Sequence, residues 1–423
     1  MNMVEKILAR ASGKKEVHPG DVVIAKVDAV LMHDFGTYLV KNVFENEARS
    51  ERVLDPDRVV IVFDHWFSPA DEKAASILKE NREWARKYGI KHVFDSGAGI
   101  CHYVLVEKGF VRPGEVVVGT DSHTTAHGTF GAFSTGVGNQ SHAVLTLPEA
   151  KSWFRVPGTI KVQIEGKVPK GTCTRDVVQH VIGTMGEDGA VYKAVEFAGS
   201  YIQELDVWER FTFPLLSVEM GAKTGFIQPD EKTVSFIKAR TDKPFEVFLN
   251  DPDTEYESLH HFDVSNLEPQ VGCHPTVGNT RSISEVAKEN IEVTQAFIGG
   301  CCGAKIEDFR LGADVIKGRK VHRNVRMLIV PGSREIYTQA AREGLLDVFF
   351  EAGANVFPPS CGTCQTVNMG AQAAGEVMVA TLPRNFPGRT GSPLARVYLA
   401  SPLTVAASAI AGKIVDPREY LRR

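Results

Sequence analysis

The stretch Ala296-Phe297-Ile298-Gly299-Gly300-Cys301-Cys302-Gly303-Ala304-Lys305-Ile306-Glu307-Asp308-Phe309-Arg310 reads as strand, turn and helix in one run. A short apolar segment ends in two glycines and a cysteine, and from Lys305 onward the pattern is that of a helix start. Further on, Pro358-Pro359-Ser360-Cys361-Gly362-Thr363-Cys364 places a C-x-x-C in a second turn rich in proline and glycine. Thiolates bind soft metals and clusters, and two cysteines separated by two residues can reach neighbouring corners of one site. Cys301, Cys361 and Cys364 together offer three such donors. A closed structural zinc site needs four ligands, and no fourth cysteine or histidine stands at zinc-finger spacing. A cubane iron–sulfur cluster on three cysteines keeps one iron without a protein thiolate, able to act as a Lewis acid on a substrate oxygen. A redox dithiol at Cys361 and Cys364, or ordinary buried cysteines, are the plainer readings of the same residues.

Outward from this stretch, 423 residues are too many for one ordinary core, so two or three domains are expected. Hydrophobic residues at 43% and charged residues at 24% fit a soluble globular protein. A net charge of −4 without a lysine–arginine block argues against a nucleic-acid surface. No run of eighteen apolar residues occurs, which argues against a membrane span. The first sixteen residues mix charges of both signs and lack the apolar core of a secretory signal. Seven cysteines are too sparse for a disulfide scaffold and suit a reducing compartment, so the expected location is the cytoplasm.

Apolar strands alternate with amphipathic helices along the chain, the pattern of α/β layers around mostly parallel sheets. Helices are expected over Met3–Ser12 and Pro69–Tyr88, and strands over Val22–Val27, Arg58–Phe63, Lys91–Phe94 and Glu115–Val118. Val156-Pro157-Gly158 marks a boundary, after which Thr159–Glu165 alternates as a strand and Thr174 is the expected cap of a helix reaching Met185. The polar segment 252–272, with His260 and His261, reads as an interdomain connection. A last unit has strands at Thr294–Ile298, Val325–Ile329 and Glu376–Thr381 and ends in the helix Leu403–Ala411. The expected domains are therefore residues 1–157, 158–273 and 274–423.

Three histidines stand beside glycines, acids or both. Asp64-His65 directly follows a strand, His102 closes Gly97-Ala98-Gly99-Ile100-Cys101-His102, and His123 lies in Gly119-Thr120-Asp121-Ser122-His123-Thr124. A carboxylate partner orients an imidazole and favours its protonated form, as general acid chemistry near neutral pH requires. The plainer reading is that Asp121 and Ser122 are helix N-caps and each histidine is a satisfied polar group. Arg384-Asn385-Phe386-Pro387-Gly388-Arg389 sets two guanidiniums five residues apart in a turn, able to fork onto carboxylate oxygens.

Ile298–Arg310 followed by Cys361-Gly362-Thr363-Cys364 resembles the cluster-binding signature of the aconitase family, and the likeness runs over nearly the whole chain. Within that family it is most similar to the large subunits of 3-isopropylmalate dehydratases and homoaconitases. The resemblance implies three α/β/α domains around a central cleft, and a 4Fe–4S cluster on Cys301, Cys361 and Cys364. It pairs Asp64 with His65, Asp121 with His102, and Glu219 with His123, keeps Ser122 in the site, and gives Arg384 and Arg389 to a substrate carboxylate. Glu196 is expected to be structural. Family members usually carry asparagines where this chain has Leu215, Gly303 and Pro383, and Cys302 stands where threonine is common. Those exchanges remove amide hydrogen bonds near the cluster. In the family a serine base and a further arginine lie on a mobile swivel domain. Only residues 412–423 follow the third unit here, so a separate small subunit is expected to carry it. The implied reaction is dehydration and rehydration of a hydroxy di- or tricarboxylic acid. Isopropylmalate comes first, homoaconitate second, and small dicarboxylates such as dimethylmalate, maleate or citraconate third. From other classes, a cluster-based iron or redox sensor and a zinc-bound structural protein remain as alternatives.

Overall fold

Val59-Val60-Ile61-Val62 is apolar on both faces, and such a run is stable only as an interior strand with layers on either side. In a computed structural model, which describes residues 1–138, 142–365 and 369–421, that is its place. The chain forms two compact units. The first comprises Met1–Ser96, Cys101–Ile164 and Asp188–Phe262; the second comprises Gly97–Ile100, Glu165–Glu187 and Asp263–Arg423.

In the first unit β1 (Val22–Lys26) is followed by β2 (Ala29–His33), β3 (Val59–Val62), β4 (His92–Phe94), β5 (Val116–Gly119) and β6 (Phe133–Gly136). β2 to β6 make a five-stranded sheet in the order β4-β3-β2-β5-β6, every pair parallel. From β2 the chain winds outward to β3 and β4, then returns to lay β5 and β6 on the other side. A topological switch point therefore lies between β2 and β5, where the loops leaving the strand ends diverge and open a crevice. β1 pairs antiparallel with β7 (Lys151–Arg155). β8 (Thr159–Glu165), β9 (Ala194–Ala198), β10 (Thr224–Phe226) and β11 (Ser258–Asp263) form a four-stranded sheet in the order β10-β9-β8-β11. The helix Met3–Ser12 coincides with its expected range. Asn2 accepts from the Glu5 N–H at 3.0 Å, Glu5 returns a bond to the Asn2 N–H at 2.9 Å, and the helix buries Met3, Val4, Ile7 and Leu8.

In the second unit β12 (Gln270–Gly272), β13 (Thr280–Ser282), β14 (Gln295–Ile298), β15 (Arg326–Ile329), β16 (Asn355–Val356), β17 (Val377–Ala380) and β18 (Arg396–Leu399) form one sheet in the order β13-β12-β18-β17-β14-β15-β16. The β14–β18 portion is parallel. It is again doubly wound: β15 and β16 lie on one side of β14, β17 and β18 on the other. The helices Ile306–Ile316 and Pro402–Ala411 pack against each other and against β14.

Two expectations change. The segment 252–272 holds strands β11 and β12. β11 is an edge strand with mostly solvated side chains, so it lacks the apolar run that marks an interior strand. Thr174 is the first residue of its helix, not the cap. Cys173 is the N-cap, and its backbone N–H is held by the Asp176 carboxylate at 2.9 Å.

Candidate active site

Each carboxyl end around the first switch point carries an acid and an imidazole. β2 ends at His33 and is followed by Asp34, β3 is followed by Asp64 and His65, and β5 by Asp121, Ser122 and His123. His102 reaches the group from the helix Cys101–Glu107, and Glu219 from the single turn Ser217–Met220. The Asp64 carboxylate holds His65 Nδ1 at 2.8 Å and accepts the Cys101 N–H at 2.8 Å. His102 Nε2 lies 3.0 Å from Asp121 Oδ1, and His123 Nε2 lies 2.7 Å from Glu219 Oε1. All three histidine–carboxylate pairs thus form. They are also joined: Asp121 accepts the backbone N–H of His123 at 2.7 Å, its Oδ1 is 3.5 Å from His123 Nδ1, and its Oδ2 is 3.9 Å from His65 Nε2. As the cap of the turn Ser122–Phe130, Asp121 fills the structural role and the histidine-binding one at once.

Burial alone would push all these carboxyls up. For Asp121 the hydrogen bonds and charge of His102 and His123 outweigh it and hold the group well below the carboxylate range. For Asp64, His65 does the same. His65 in turn is pushed down by burial but pulled up further by Asp64, then by Asp34 and Asp121, so its imidazolium persists above the ordinary histidine range. His102 Nδ1 is buried and has no partner among the described residues. A cavity of about 300 Å³ opens beside Ser122, lined also by Thr120, Thr125, Thr135, Val218 and Lys223. Burial lowers the Lys223 pKa.

In the second unit Cys301 follows β14 and the Cys361–Cys364 turn follows β16, both at carboxyl ends. The two turns converge on one ring. A Cβ at Gly299 would lie 2.6 Å from Phe297 Cζ, and one at Gly362 2.8 Å from the same atom. Only glycines let both cysteine-bearing backbones sit that close to Phe297. All three cysteines are buried thiols. Arg389 Nη2 donates to Cys364 Sγ at 3.0 Å, a cationic donor suited to a thiolate or a metal-bound sulfur. Arg384 and Arg389 lie in the loop after β17, on the far side of the second switch point, both half-buried. Soft, buried sulfurs on glycine turns fit a cluster better than a hard cation.

The exchanged residues have specific environments. Gly303 admits no side chain, since a Cβ there would fall 2.2 Å from both Cβ and Oγ1 of Thr381. That hydroxyl accepts the Gly299 N–H at 2.9 Å and donates to the Gly299 carbonyl at 2.8 Å, so it pins the turn leading to Cys301. Cys302 Sγ donates to the Thr381 carbonyl at 3.0 Å, and its own carbonyl accepts Lys305 Nζ at 3.1 Å. Lys305 is buried with Asp308 at 2.8 Å. Leu215 is fully buried in the first unit, and Pro383 is buried after Leu382, whose carbonyl accepts Arg175 Nη2 at 3.0 Å. Glu196 is satisfied by Gln228, Asn250 and Tyr256 at 2.8, 2.8 and 2.7 Å, a closed structural network.

Sequence reading passed over His33-Asp34, although it has the same signature as Asp64-His65: an acid beside a histidine at the end of an apolar strand. It also passed over His127, whose buried ring contacts the His102 carbonyl at 3.2 Å. Among the described residues, no helix is long and apolar enough to cross a membrane.

Comparison with known proteins identifies the family. The sequence profile of the aconitase family (aconitate hydratase) matches residues 5–412. The chain is 44% identical over 422 residues to the probable methanogen homoaconitase large subunit of Methanothermobacter thermautotrophicus, covering 99% of this chain and 98% of that protein. It is 45% identical over 420 residues to 3-isopropylmalate dehydratase large subunit 1 of Methanopyrus kandleri, with 99% of each covered. The like-named subunit of Pyrococcus furiosus is 44% identical over 423 residues, covering 100% of this chain and 99% of that one. The chain belongs to the aconitase family, whose members are hydro-lyases.

Proposed function

We propose that the chain is the large subunit of an iron–sulfur hydro-lyase that isomerises a hydroxy acid by dehydration and rehydration, with 3-isopropylmalate as its substrate. The observation that carries this reading is the set of three histidines, each bonded to its own carboxylate and gathered by Asp121 at a switch point. It is supported by full-length likeness to subunits named for that reaction. Cys301, Cys361 and Cys364 would hold a 4Fe–4S cluster, which supplies Lewis-acid binding of the substrate's hydroxyl and carboxylate.

The chain's own residues manage protons and position. Asp64 fixes His65 through Nδ1 and keeps it protonated, so His65 is a proton store whose Nε2 faces Asp121. His102 is anchored to Asp121 through Nε2, and the paired histidines together would protonate the departing hydroxyl. Glu219 holds His123 in one orientation. Ser122 offers its hydroxyl at the cavity, and Arg384 and Arg389 would receive a substrate carboxylate. A separate small subunit, bearing the swivel domain, would bring the serine base that removes the carbon-bound proton and a further arginine. The names of the relatives, all large subunits, support that partner. The division into segments 1–157, 158–273 and 274–423 is supported by the sheets, each of which falls within one segment apart from β12. Seven cysteines in the thiol form support a cytoplasmic setting.

Homoaconitate is the second substrate, favoured by the 44% identity to a homoaconitase large subunit. The test is co-expression with a small subunit, anaerobic reconstitution, and an absorbance screen for unsaturated acid from isopropylmalate, homocitrate, citraconate and maleate. Turnover of isopropylmalate by the pair and not by the large subunit alone is the expected result. Silence on every substrate with iron bound would overturn the reading.

A further inference from the structure

His33 and Asp34 sit at the carboxyl end of β2, the strand flanked by the two that deliver Asp64-His65 and Asp121. The ring centroids of His33 and His65 are 4.4 Å apart at 38°. One ligand-type atom from each of His33, Asp34, Asp64 and His65 lies within 4.8 Å of the others, and all four residues are buried. Each is also committed. His33 Nδ1 accepts the Gly36 N–H at 3.3 Å, its backbone N–H donates to Thr120 Oγ1 at 3.2 Å, and the Asp34 oxygens accept the N–H groups of Phe35 and Trp66, both at 2.7 Å. Each of the four residues is thus already held in place by hydrogen bonds within the first unit.

Resting on the proposed hydro-lyase reading, we infer that His33 and Asp34 are positioning residues for His65: the tilted His33 ring packs against the His65 ring, and Asp34 sets a second buried carboxylate beside it. Asp34 is a second buried anion beside that ring, besides Asp64. The groups facing His65 are Asp64 on its own turn, His33 and Asp34 from β2, Asp121 from β5, and His102 and Cys101 from the helix Cys101–Glu107, with His123 beyond Asp121. Three of these, Asp64, Asp34 and Asp121, are carboxylates. A charge within this distance moves a buried pKa by about 1–3 units.

The test uses the assembled, reconstituted enzyme. Asp34→Asn keeps an acceptor for the Trp66 N–H but removes the charge. It is expected to move the alkaline limb of the kcat/KM profile down by about one pH unit, roughly tenfold less activity on that limb, with KM little changed, and Asp34→Glu should restore it. His33→Asn keeps the helix cap, loses the ring, and should lower kcat without that displacement. Independently of any substrate, histidine-15N titration of the parent protein should find His65 protonated above the ordinary histidine range, and lower in Asp34→Asn. A superimposable alkaline limb in Asp34→Asn, or a parent His65 that titrates at or below its ordinary value, overturns the inference. Absence of turnover in the parent would sink the hydro-lyase reading while the titration still decides this one.

Discussion

Substituting Gly303 by alanine asks whether the turn before the Ile306–Ile316 helix is as tightly specified as the structure makes it. The added methyl would lie 2.2 Å from Thr381 Cβ and Oγ1 and 3.0 Å from the Gly299 carbonyl oxygen. Relief requires Thr381 or the turn to move, and overpacking of this kind costs about 1–3 kcal/mol. A displaced Thr381 also gives up its two bonds to Gly299, each contributing about 1 kcal/mol. The combined loss is about 3–5 kcal/mol, a fall in melting temperature of roughly 6–20 °C for a unit of this size. Thermal unfolding of the metal-free protein under reducing conditions, followed by circular dichroism, is the assay. Pairing Gly303→Ala with Thr381→Gly removes the colliding atoms, so the double variant should lose less than the sum of its parts. A Gly303→Ala melting curve that overlays the parent's would refute the reasoning, and an asparagine at this position would then be admissible too.

Burial, then the charge of His102, lowers the His127 pKa to about 3. As pH falls below the ordinary histidine value the unfolded chain takes up a proton that the folded chain refuses, so stability drops by about 1.4 kcal/mol per pH unit from this group. His127→Gln should flatten the acid limb of urea-unfolding stability between pH 6 and 4 by that slope, and a parallel limb would count against it. For the candidate chemistry, Asp121→Asn should cost about 10²–10⁴-fold in kcat, since it strips the carboxylate from His102 and from the His123 cap together. A loss of tenfold or less would mean that the acid is a cap and nothing more. Cys361→Ser should leave the far-ultraviolet spectrum unchanged but abolish retention of iron and inorganic sulfide after anaerobic reconstitution. Full retention would remove Cys361 from the metal-binding set.

The parallel-sheet architecture was legible because interior strands need unbroken apolar runs: Val59-Val60-Ile61-Val62 and Ala296-Phe297-Ile298 stand out from any polar background. The strand ends followed, and with them the positions of Asp64, Asp121 and Cys301. β11 was not legible, since an edge strand with solvated faces has no reason to be apolar. The pairings of His102 with Asp121 and His123 with Glu219 span 19 and 96 residues. No local pattern encodes such separations; they came from family resemblance and are realised by strand order. His33-Asp34 had a readable signature, but its closeness to His65 depends on β2 lying between β3 and β5. The fit of Gly303 against Thr381 joins residues on two different loops, so the missing asparagine looked like a plain loss until that hydroxyl was located.

One carboxylate, Asp121, answers to three imidazoles. Protons taken up or released in this unit are therefore shared among its members, and the constant fitted to any one ring is an apparent one that carries its neighbours' charges. A change at any member re-sorts the charge on the others. Single substitutions here will overlap in effect, and their losses will not sum.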